Sequence, residues 1–190
     1  VRYTNAAGNE YSVQNLKYLI SDIRFVTDNG EIITDDVLYV DAQENATKKW
    51  ILSEFPESNV QSVHFVFGLS EEKNISDLFI NSGTMHNQMF WPEAMGGGYH
   101  YMKLEGQYIN NAGETKFYNT HTGRLNTTPH FVEVSLPNSD FNFSKENRTL
   151  NLVMNLNAWY DNPVYDINVY GSAIMGNEVA QAALQSNSQN

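Results

Sequence analysis

The chain has no cysteine. Disulfides, thiolate metal sites, iron–sulfur clusters and cysteine nucleophiles are therefore excluded. It also lacks any run of about 18 apolar residues, so no transmembrane segment is predicted. Basic residues are scarce: 11 Lys and Arg stand against 22 Asp and Glu, giving a formal net charge of −11. A chain this acidic repels phosphate backbones, which argues against nucleic acid, and it suits anionic membrane surfaces poorly. Cations or a basic partner protein fit it better. Catalytic signatures are missing as well, with no Gly-x-Ser-x-Gly, no Walker loop and no dinucleotide fingerprint. Asp35-Asp36 and Glu71-Glu72 read as solvated surface. A carboxylate pair brought together from distant strands, as in glycoside hydrolysis, is left open. No enzyme is predicted.

What is present is apolar and aromatic material. Of 190 residues, 41% are hydrophobic and 13% aromatic. This is enough for a sizeable core, and a single domain spanning 1–190 is expected. Strand patterns dominate. Asn15 to Val26 alternates through Leu16, Tyr18 and Ile20, then switches parity to Ile23 and Phe25, which predicts a bulge at Ser21-Asp22. Asp28-Asn29-Gly30 marks a hairpin turn. Further strands are predicted at Val37 to Val40, Val60 to Leu69, Tyr99 to Glu105 and Phe131 to Leu136. The clearest alternation runs from Thr149 to Ala158, with Leu150, Leu152, Met154 and Leu156 on one face. Helical signals are few: one turn near Ser76 to Ile80, and a short C-terminal helix from Asn177 to Gln185 capped by Asn177. Residues 186–190 read as a frayed polar end. The predicted class is all-β, an antiparallel β-sandwich with a short C-terminal helix and long loops.

Chemistry concentrates in residues 85–123. Three of the five histidines (His86, His100 and His121) and four of the six methionines fall here. The segment also holds Trp91-Pro92 and the triple glycine Gly96-Gly97-Gly98. Imidazole suits copper in either oxidation state, and thioether sulfur favours Cu(I). The spacing matches no tight metal motif, and buried methionines are more often core filler than ligands. His64 and His130 lie in or beside strands and read as structural.

Met89-Phe90-Trp91, Gly98-Tyr99, Lys103-Leu104-Glu105-Gly106 and His121-Thr122-Gly123 follow one another along the chain. This order of pieces resembles the MbnP-like family of bacterial periplasmic or surface copper-binding proteins, some of them associated with methanobactin genes. Asn15 to Ser21, Phe67-Gly68-Leu69, Trp159-Tyr160 and Ile174-Met175 extend the match over roughly residues 12–185. The resemblance implies a β-sandwich with a mononuclear copper site made by two histidines and an oxidised tryptophan, kynurenine. It also implies a dihaem peroxidase-like partner that performs the oxidation. By motif, His86 and His121 are the implied imidazole ligands and Trp91 the implied modified residue, with His100 and Met89 in reserve. Glu93 stands where the family often carries a second aromatic. The function implied is copper uptake, storage or delivery, in the periplasm or at the cell surface. The expectation is then an exported protein whose signal peptide has been removed, either free in the periplasm or a lipoprotein tethered to the outer membrane by an upstream lipid anchor. The rival expectation is a metal-free binding module for carbohydrate or protein.

Overall fold

The computed structural model describes residues 2–52, 55–137, 139–143 and 149–188. The fold is organised by one long strand, β2 (Glu10–Thr27, 18 residues). Around it run β1 (Tyr3–Thr4), β3 (Gly30–Ile33), β4 (Leu38–Asp41), β5 (Ser58–Phe67), β6 (Met102–Ile109), β7 (Thr115–Thr122), β8 (Val132–Ser135) and β9 (Phe141–Phe143). All nine belong to one sheet, with central order β7-β6-β2-β5-β8, and every strand pair is antiparallel.

β2 is long enough to serve two wings. Its first half pairs with β6 from Tyr11↔Tyr108 to Tyr18↔Met102. Its second half pairs with β5 from Ile20↔Phe67 to Thr27↔Val60. The changeover falls at Leu19, which donates its N–H to Tyr101 O and accepts from Gly68 N–H (3.0 and 2.8 Å). The register slips between Ser21 and Arg24, and Asp22 has a positive φ of 52°. That is the predicted bulge, and it lets apolar residues of both parities reach the core. The Asp28-Asn29-Gly30 turn joins β2 to β3 as the sequence pattern required.

The main core lies between this curled sheet and the C-terminal segment. Ile20, Ile23, Phe25, Val63, Phe65, Phe67, Leu104 and Tyr118 from the sheet meet Trp159, Tyr160, Tyr165, Ile174, Ala180 and Leu184. A smaller cluster, Leu19, Leu69, Met85, Met89, Tyr99 and Tyr101, sits under α1 (Thr84–Met89). Two further helices follow, α2 (Ile167–Tyr170) and α3 (Glu178–Asn187).

Three expectations are corrected. The segment Thr149 to Ala158 is not a strand: its first part joins no ladder, and Leu156–Tyr160 forms a 3-10 turn. Alternation gives a strand its faces, but a strand also needs a neighbour with free backbone groups. The outer edge of β5 is already taken by β8 and β9. Asn155 then accepts from Asn157 N–H and starts the turn. Leu150, Leu152 and Val153 are left exposed, while Met154 and Leu156 still pack on the core. The second correction is β7, which carried no apolar alternation because two of its buried residues are Thr120 and Thr122. The third concerns the C-terminus. Ser186 and Asn187 belong to α3, and Asn187 is buried, donating to Trp159 O and Pro163 O. Residues 189 and 190 lie outside the described residues.

The predicted helix cap is in place. Asn177 Oδ1 accepts from Ala180 N–H at 3.1 Å, and its amide donates to Tyr170 O at 2.9 Å. Asn177→Ala removes both bonds and is expected to cost about 1–2 kcal/mol. Urea denaturation checks this through a lower midpoint at unchanged slope.

Candidate metal centre

The site begins with a short antiparallel pairing that encloses the glycine-rich loop. Trp91 N–H donates to Gly98 O, Phe90 bridges Tyr99, and His100 N–H donates to Met89 O. Alternation across this pairing sets the faces. Trp91 and His100 lie diagonally on one face, with ring centroids 4.7 Å apart in an edge-on arrangement. Phe90 and Tyr99 take the other face, where His86 on α1 contacts both rings. Closing the loop requires Gly98 at φ 88°, close against the Asn74 carboxamide, which accepts from Tyr99 N–H at 2.8 Å. A side chain at position 98 would collide with Asn74.

β7 brings the second imidazole. It pairs with β6 so that His121 lies opposite Lys103, and Glu105 lies diagonally across from His121. The chain bends at Tyr101 just before β6. There the His100 and His121 rings meet edge-on, 5.1 Å between centroids. Both residues are buried, at 6% and 8% exposure.

Each imidazole has one nitrogen engaged and one bare. His100 Nδ1 lies 3.1 Å from Met89 O, a carbonyl that can only accept, so Nδ1 carries the proton. His121 Nε2 lies 2.6 Å from Glu105 Oε1. Asn15 also donates to this carboxylate. Burial alone would raise Glu105, but the bonds from Asn15 and His121 outweigh it and bring its pKa below the ordinary carboxylate value. Glu105 is thus an ionised acceptor, and His121 Nε2 carries the proton. The remaining nitrogens, His100 Nε2 and His121 Nδ1, are buried without a hydrogen-bond partner. Burial, with a smaller contribution from neighbouring His121, drives the pKa of His100 down to about 3. Burial also pulls His121 below its usual value, more than Glu105 raises it. Both rings are neutral at pH 7, and each presents a lone pair. Two imidazoles that bind one ion tetrahedrally at ~2.0 Å have centroids ~5 Å apart, close to the observed spacing.

Trp91 packs edge-on against His100 and is fully buried. Its Nε1–H points to Met95 O at 3.4 Å. An unmodified indole offers a donor and no lone pair, so Trp91 in this form shapes the site without ligating. Gly123 packs on the indole, and a Cβ there would lie 2.8 Å from Trp91 Cε3.

The structure therefore brings together His100, His121 and Trp91. It sets His86 apart: His86 Nδ1 meets Tyr99 OH at 3.0 Å, and Nε2 faces Asp77 at 3.9 Å. Met89 contributes its carbonyl to His100, while its side chain is fully buried in the smaller core cluster. Sequence reasoning missed the role of Glu105, although it shares a strand face with Lys103 and becomes visible once β7 is paired with β6. It also passed over His130, which is buried, with Nδ1 3.1 Å from Gly123 O and Nε2 bare. Among the described residues, no group of three or more His, Asp and Glu side chains is arranged to hold an ion.

An antiparallel β-sheet protein that holds two neutral, buried imidazoles side by side at the open end of its β6–β7 hairpin, one of them against an indole, is the class that the fold and site define. The MbnP family model matches residues 1–176, and the chain belongs to the MbnP family. Among curated proteins and among solved structures, none matches the chain.

Two consequences are measurable. Gly123→Ala forces a methyl into the Trp91 ring. It is expected to destabilise the protein by about 1–3 kcal/mol and to shift tryptophan fluorescence, whereas Gly113→Ala, where a Cβ meets nothing within 4 Å, leaves the spectrum unchanged. The second concerns pH. Unfolded His100 takes up a proton near its ordinary value of 6.5, which the folded protein refuses until about pH 3. The folded state therefore loses stability as pH falls below 6.5, by on the order of 2–3 kcal/mol at pH 4 from this residue. Denaturation of wild type and His100→Phe at pH 7 and pH 4 tests it. The wild-type advantage should shrink at pH 4, and an advantage independent of pH would contradict the assignment.

Proposed function

We infer that this protein binds a single copper ion through His100 Nε2 and His121 Nδ1, and that it is an exported protein serving copper uptake, storage or delivery. One observation carries this reading: two adjacent, neutral, buried imidazoles each present an unpartnered lone pair, while the far nitrogen of each is fixed by an acceptor. A buried polar atom without a partner costs about 1–3 kcal/mol, which a metal bond would remove. Ligating histidines characteristically give their second N–H to a carbonyl or carboxylate. Met89 O and Glu105 occupy those places.

Copper, which family membership implies, fits this donor set, since imidazole is among the ligand types that suit it. Bound copper would supply a redox-active cation. The chain's own part is to hold the two rings, keep them unprotonated and exclude bulk water. Glu105 places a negative charge behind His121, which strengthens the imidazole as a donor. The protein thus furnishes two side-chain donors. Oxidation of Trp91 to kynurenine would add a third at the wall of the same site, and a dihaem peroxidase-like partner is the proposed agent. In this reading His86 is not a ligand, although the sequence motif favoured it over His100. No described helix is long and apolar enough to cross a membrane. The protein acts as a binder rather than an enzyme.

The test is competition titration of metal-stripped protein with Cu(I) and Cu(II), with intact mass measured on the same sample. Binding of one ion is expected, weakened at least a hundredfold by His100→Ala or His121→Ala and by less than threefold by His86→Ala. Equal losses in all three variants, or binding no tighter than that of an unrelated acidic protein, would overturn the site.

A further inference from the structure

The geometry points to Gln181, on the C-terminal helix, as a positioning residue for the Trp91–His121 centre. It acts by clamping the Gly123 peptide against the indole. The β6–β7 ladder stops at Met102↔Thr122, so Gly123 has no strand partner for its N–H and C=O. Both groups are nonetheless bonded by buried side chains. Gly123 N–H donates to Gln181 Oε1 at 3.0 Å, and His130 Nδ1 donates to Gly123 O at 3.1 Å.

Gln181 cannot turn away from this role. It is fully buried. Its other amide atom, Nε2, donates to Met175 O at 2.8 Å, so the orientation of the carboxamide is fixed from both ends. The clamped peptide lies two residues beyond His121, and a Cβ on Gly123 would fall 2.8 Å from the Trp91 ring. A shift in Gly123 is therefore passed to the indole and, through the strand end, to His121.

α3 also carries a natural control. Gln185 Nε2 donates to Phe131 O at 2.8 Å, a bond of the same kind made away from Gly123. Losing either glutamine weakens the docking of α3, but only Gln181 touches the site.

The inference rests on the copper reading for one of its two readouts and is independent of it for the other. The first readout is the indole N–H resonance of Trp91 and the ring resonances of His121, recorded by NMR on metal-free protein and assigned with Trp91→Phe and His121→Ala. The second is Cu(I) affinity by competition. Gln181→Met keeps the volume and removes both bonds. It is expected to move the Trp91 and His121 resonances and to weaken copper binding about tenfold or more, the usual effect of losing a residue that supports a ligand. Gln181→Glu, protonated at this buried position, can still accept from Gly123 N–H through its C=O and donate its O–H to Met175 O, and should stay near wild type in both. Gln185→Met should lower the melting temperature and leave both readouts in place. Where Gln181→Met does not fold, Gln181→Asn, one methylene short of Gly123, carries the same expectation. Unchanged Trp91 and His121 resonances in the Gln181 variants, or equal changes in Gln185→Met, would overturn the proposal. If wild-type protein shows no copper affinity, the metal-free resonances decide alone, so failure of the copper reading stays separate from failure of the clamp.

Discussion

Burial disfavours a charged imidazole, and a neutral one has one N–H to place and one lone pair left over. That constraint organises the candidate centre. Two such rings lie side by side at the end of the β6–β7 hairpin, and each N–H has an acceptor supplied by a different part of the fold. For His100 it is the carbonyl at the end of α1. For His121 it is a carboxylate on the neighbouring strand, itself steadied by Asn15 on β2. Three elements far apart in sequence therefore fix which nitrogen of each ring is free.

The sheet makes this possible through the length of β2. Because one strand carries both wings, the end of β6 and the end of β5 meet at Leu19. The chain between those ends, from residue 68 to 101, must leave the sheet and return beside its point of departure. It does so as α1 and the glycine-rich loop, which is why Trp91 arrives next to His100. The same return path separates His86 from the pair. Odd and even positions around the Phe90–Tyr99 bridge face opposite ways, and His86 falls on the Phe90 side.

Much of this was legible in the sequence, and the gaps have physical causes. The β2 bulge, the β2–β3 turn and the Asn177 cap are local features, and local chemistry announced them. The 149–158 segment misled because periodicity reports which faces a strand would have, not whether a ladder edge is free to accept it. β7 hid because Thr120 and Thr122 are buried beside hydroxyl and backbone partners rather than in an oily row. At the site, motif order singled out Trp91 and His121, and the fold brings a ring of each against His100. Motif order could not rank His86 against His100, since that choice depends on the parity of a bridge between residues nine apart. Glu105 and Gln181 act on the site only through tertiary pairing, which no single stretch of sequence displays.

The central claim is that His100 and His121 are neutral, of opposite tautomer, and together hold copper by their bare nitrogens. Long-range ¹H–¹⁵N NMR of the histidine rings, before and after one equivalent of Cu(I), tests it directly. The account predicts the Nδ1–H form for His100 and the Nε2–H form for His121 in metal-free protein. Copper should then perturb His100 Nε2 and His121 Nδ1 while leaving His86 unmoved. Protonated rings at pH 7, the opposite tautomers, or a copper-induced shift at His86 in place of His100 would contradict it.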